Sequence, residues 1–160
     1  MTPRIQKAID TFLDSLNEGT LAKGTCVACA VGNLVAAGAG AKITEDLESC
    51  AGYLNSTWSF AFSTNSEGTR RIDKSYFDNE EVIDNISKTD FSIHELMQIE
   101  YAFETNTEIS YISYDNCSRK SIRQDQIKGL EAVVKVMLSF DEQVEDVKEV
   151  FTHKAELIPL

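Results

Sequence analysis

No stretch of this chain approaches the run of about 18 uninterrupted apolar residues that a membrane helix needs, and its opening, Met1-Thr2-Pro3-Arg4-Ile5-Gln6-Lys7, lacks the apolar segment of an export signal. Neither a membrane span nor standard secretion is expected, and the location read from this is cytoplasmic. Cysteine is scarce too, at four in 160 residues. Without an export signal these read as reduced thiols rather than a disulfide framework. A chain of this length buries roughly two-thirds of its unfolded surface, so it needs no metal or disulfide to fold. Positive charge is the third shortage. Fifteen Lys and Arg stand against 26 Asp and Glu, for a net charge of −11. Such a field repels phosphate, whose binding depends on Lys and Arg displacing counterions. Direct binding to nucleic acid or to a membrane is not expected.

What is present suffices for a globular core: 42% of the residues are apolar and 26% charged, enough burial to offset the entropy of ordering. The patterning predicts a mainly α fold, a single compact domain spanning residues 1–160 with about six helices around a small-residue central helix. Thr2 can cap the first helix, Pro3 suits its first turn, and Ile5, Ala8, Ile9, Phe12, Leu13 and Leu16 fall at helical spacing before Gly19. The central helix is expected from a cap at Thr25 through Val27, Ala28, Ala30, Val31, Leu34 and Val35 to Gly40, because a helix this poor in bulk admits close neighbours. Thr44 would cap a short third helix carrying Leu47, Cys50, Ala51 and Leu54. Capping boxes are expected at Asp78 with Glu81 and at Ser92 with Glu95. In the second, Phe91 and Leu96 form a hydrophobic staple, and the helix runs from about Ile93 to about Thr105. Its core side is Leu96, Ile99 and Phe103, leaving Glu95, Gln98, Glu100 and Glu104 toward water. A long helix follows from Ser118 through Leu130, Val133, Val134, Met137 and Leu138, and Asp141 would cap a final one. Trp58, Phe60 and Phe62 fit a short strand or a pinned loop equally. Pairing that stretch with Ile109 to Tyr114 would make a short β-hairpin.

Candidate chemistry begins with Cys26 and Cys29, a C-x-x-C at an expected helix N-terminus, where backbone amides and the macrodipole favour thiolate. That spacing suits redox exchange or zinc. A thioredoxin-type motif follows a strand, however, and here a helix and a short turn precede it. Four zinc ligands would have to be completed from Cys50, Cys117, His94 and His153, none of which forms a second C-x-x-C or an H-x-x-x-H. A plant-type iron–sulfur spacing would need cysteine at Leu21. The plainer reading is of small cysteines packed in an Ala/Gly-rich helix. His94 and His153 have no local serine or cysteine poised for a triad, so no catalytic residue is assigned. Walker and dinucleotide fingerprints are absent, and no cofactor is expected. Between Asp84 and Glu95, Ile86 and Lys88 occupy positions where a calcium loop needs oxygen ligands.

Charge distribution is the remaining signal. Nine acids and one lysine lie between Phe77 and Ser110, and six acids and two lysines from Asp141 to Leu160. Arg119, Lys120, Arg123 and Lys128 form a basic ridge between them. Acids of this kind ordinarily solvate helix surfaces. The functional reading is a non-enzymatic interaction or inhibitory module whose acidic helical surface meets a basic protein partner, in the manner of a nucleic-acid mimic. Its contacts would be Glu80, Glu81, Glu100, Glu104, Glu145 and Glu149. The alternative is a thiol-redox or zinc protein centred on Cys26 and Cys29. A third possibility, a small-molecule site beneath Trp58, Phe60, Tyr111 and Tyr114, competes with the ordinary packing of aromatics.

Gly24 to Val35, with its Gly-Thr-Cys-Val-Ala-Cys-Ala-Val-Gly-Asn-Leu run, together with Phe91 to Asn106 and Asp125 to Asp141, resembles a family of small bacterial proteins with no established function. The resemblance covers much of the chain and implies neither a mechanism nor a site.

Overall fold

The apolar period at the start of the chain closes into α1 (Pro3–Glu18), whose buried face carries Ile5, Ala8, Ile9, Phe12, Leu13 and Leu16. The computed structural model of the protein describes residues 1–21, 29–40, 62–64, 70–72, 80–107 and 123–141. Pro3 stands at the first helical position, where its missing N–H removes no helical bond. Gly19 ends the helix at φ +70°, a conformation that costs glycine little, with its N–H bonded to Ser15 O. Thr2 occupies the cap position, but its side chain makes no capping bond. The hydroxyl donates instead to Asp141, at the far end of the described chain.

The central helix is shorter than its sequence pattern suggests. α2 spans Ala30–Ala39 and is capped by Cys29, whose sulfur accepts from Gly32 N at 3.4 Å. Thr25, expected to cap it, lies outside the described residues, and the extended backbone of Cys29 (ψ 178°) marks the cap of α2. Every residue from Ala30 to Ala36 is buried. A helix apolar all round has to be enclosed, and α2 touches α1, α3 (Glu80–Ser87) and α4 (Ile93–Asn106). Small side chains permit this. A Cβ at Gly38 would stand 3.0 Å from Lys88 Cβ, just beyond the C-terminus of α3. Asn33 is the polar exception in this helix. Its Oδ1 accepts from Thr20 Oγ1 at 3.0 Å and lies 2.8 Å from Ser15 Oγ, while Nδ2 donates to Cys29 O at 3.1 Å and Thr20 O at 3.3 Å.

α4 and α5 (Arg123–Phe140) form the most extensive helix pair. Ser92 and Glu95 make the expected capping box, and Phe91 and Leu96 are buried as a staple requires. Leu96, Ile99, Ala102 and Phe103 join Leu130, Val133, Val134, Met137 and Leu138 in a core shared with α1, α2 and α3. Each fully buried side chain of this size contributes about 1.5–3 kcal/mol, so apolar burial dominates the polar contacts described below. Near the start of α5, Gly129 allows a close crossing. A Cβ there would collide with Thr107 Oγ1 and lie 3.0 Å from Phe103 Cδ2.

The described residues are mainly α, with five helices. Two short strands, β1 (Phe62–Thr64) and β2 (Arg70–Ile72), pair antiparallel with Phe62 opposite Ile72 and Thr64 opposite Arg70. Phe62, the last aromatic of that stretch, therefore pairs with its near neighbour in sequence, while Trp58 and Phe60 lie outside the described residues. The expected partner at 109–114, the short helix after Thr44 and the helix after Asp141 lie outside the described residues.

Candidate functional site

The densest polar constellation centres on Arg4, in the first turn of α1. Its NH1 and NH2 bond Glu95 Oε1 and Oε2 at 3.0 and 2.9 Å. Its Nε and NH2 meet the two oxygens of Asp141, and NH1 also donates to Asp90 O at 3.2 Å. The guanidinium carbon sits 4.9 Å from the centroid of the Phe91 ring, a cation–π placement that favours arginine's flat, weakly hydrated head. Three separate stretches of chain converge here because helix ends converge: the start of α1, the turn into α4 and the end of α5.

Electrostatics follow from this geometry. The bonds to Asp141, then those to Glu95, hold Arg4 still more firmly protonated than usual. Burial pushes the Glu95 carboxyl upward, but Arg4 and the Ser92 amide outweigh it and leave the group below its ordinary range. Arg4 and the Thr2 hydroxyl likewise hold Asp141 low. Lys7 adds an outer contact to Asp90 at 3.5 Å. Asp90 itself turns the chain between α3 and α4 at φ +65°. The five N–H directions of a guanidinium are matched here by five hydrogen bonds, so Arg4 has no donor left for a ligand. This cluster is a clasp that positions helix ends.

Sequence reasoning missed the clasp. It placed Glu95 mainly toward water, whereas Glu95 is drawn to Arg4 while still closing its capping box; the helix that Asp141 was expected to cap lies outside the described residues, and the Asp141 carboxylate faces Arg4 and Thr2. Glu95 could be read locally because Ser92 is three residues away. Arg4 could not, since its partners lie 91 and 137 positions along the chain.

The predicted acidic contacts are only partly brought together. Glu80 is exposed at the start of α3, and Glu81 follows it. Glu100 and Glu104 are half-buried on α4 and already engaged by neighbours. Glu145 and Glu149 lie outside the described residues. A row that was not singled out is more open: Asp10, Asp14 and Glu18 are all exposed along α1. Their i, i+4, i+8 spacing puts them on one face with about 6 Å of rise between successive carboxylates. That spacing, opposite the buried Ile5–Ile9–Phe12–Leu16 face, was the signal that could have found them. Of the basic ridge, Lys128 is exposed on α5 and Arg123 begins that helix, while Arg119 and Lys120 lie outside the described residues.

For the cysteine motif, the described half is Cys29, 2% exposed, with its sulfur accepting from the Gly32 amide in the first turn of α2. Among the described residues, no three His, Cys, Asp or Glu side chains gather as metal ligands. Cys26, Cys50, Cys117, His153 and the aromatic residues Trp58, Phe60, Tyr111 and Tyr114 lie outside them. His94 is exposed in the first turn of α4. No described helix is long and apolar enough to cross a membrane. In comparisons with known protein families, with curated proteins and with solved structures, nothing matches this chain.

Proposed function

We propose that this protein is a non-enzymatic cytoplasmic interaction or inhibitory module that presents acidic helical surface to a basic protein partner, covering a surface that would otherwise meet nucleic-acid phosphates. The observation that supports the reading is the exposed row Asp10, Asp14 and Glu18 on a chain of net charge −11. A helix whose other face is locked into the core by Ile5, Ile9 and Phe12, and whose first turn is clasped by Arg4, holds such a row rigidly. Rigid charge loses little entropy on binding, and complementary fields accelerate encounter. Glu80 and Glu81 on α3, with Glu100, Glu104, Glu145 and Glu149, extend the proposed contact set.

The test begins with affinity capture at low salt, followed by binding measurements with the recovered protein. The expected partner is basic, its association slows as salt rises, and the triple variant D10K/D14K/E18K binds it at least tenfold more weakly. The same number of charges reversed at Asp84, Asp90 and Glu131, which lie outside the proposed contact set, serves as a control for net charge. A partner whose binding is indifferent to salt, or equally affected by both triple variants, would remove α1 as the contact surface. Recovery of no partner at low salt would remove the interaction reading.

A further inference from the structure

We draw no further inference here: the strongest candidate, the solvent-exposed Tyr101 on the outer face of α4 between the exposed Gln98 and Thr105, carries nothing because nothing in the structure shows what covers that face.

Discussion

Replacing Arg4 with methionine keeps an apolar stem of similar length against Phe91 and removes the guanidinium from two carboxylates. The cost can be worked from exposure. The Arg4 side chain is 24% exposed, Glu95 22% and Asp141 16%. Ion pairs at the open surface are worth about 0.2–1 kcal/mol, and losing one partner of a fully buried pair costs about 3–5 kcal/mol. These pairs lie between the two limits but nearer the first, because Glu95 keeps its bond from the Ser92 amide and Asp141 its bond from Thr2. About 1 kcal/mol for each pair, with about 0.5 kcal/mol for the Phe91 contact, gives a loss of about 2–3 kcal/mol for R4M at neutral pH. For a chain of this size that lowers Tm by about 5–10 °C. The loss depends on pH with a definite sign. Glu95 and Asp141 both have folded-state pKa values below their unfolded ones, so the unfolded chain binds more protons and stability rises with pH through the acid range. Their contribution is fully present above the unfolded carboxylate range of about 4 and fades as pH falls through the lower folded values. Urea unfolding of the parent and R4M at pH 7 and across the acid range should show the gap narrowing as acid is added. A double-mutant cycle with E95Q, which retains an oxygen for the Ser92 amide, should give a coupling of about 1 kcal/mol. A gap below about 0.5 kcal/mol at pH 7, or one constant from pH 7 into acid, would refute the clasp as a source of stability.

Gly129→Ala gains about 1 kcal/mol of helix propensity but sets a Cβ against Thr107 Oγ1 and Phe103, and overpacking of this kind costs about 1–3 kcal/mol. Chemical denaturation should show net destabilisation, and T107A in the same chain should recover most of it; a G129A protein more stable than the parent would contradict the crossing geometry. Asn33→Ala removes the acceptor facing Thr20 Oγ1 and Ser15 Oγ inside the core, and should cost about 2–3 kcal/mol in the same assay. Loss of less than about 0.5 kcal/mol would show that the buried network contributes little. Asp90→Gly relieves the left-handed backbone at φ +65° but loses the Lys7 contact, so its melting temperature should stay within about 2 °C of the parent; a large fall would mean that the Asp90 side chain holds the turn.

Much of the helical framework could be read directly from the chain, because its cause is local. The i, i+3, i+4 recurrence from Ile5 to Leu16 made α1, the i, i+3 spacing of Ser92 and Glu95 made the capping box, and Gly19 stopped a helix where a left-handed residue was needed. Burial of α2 was legible for the same reason, since a segment without bulk or charge has no face to offer water. Its starting point was not, because the cap pattern points to Thr25, whereas the extended backbone of Cys29 sets the cap four residues later. Of the proposed contact surface, the sequence showed an acidic excess but not its display: Glu100 and Glu104 are half-buried and engaged by neighbours, while Asp10, which accepts a bond from Gln6 on its own helix, Asp14 and Glu18 are exposed. Partnership across long separations is what tertiary structure alone decided. Arg4 meets Glu95 and Asp141, and Thr107 meets Gly129, because packed helices bring their ends together, and no spacing rule within a helix or a turn reaches across 91 or 137 residues.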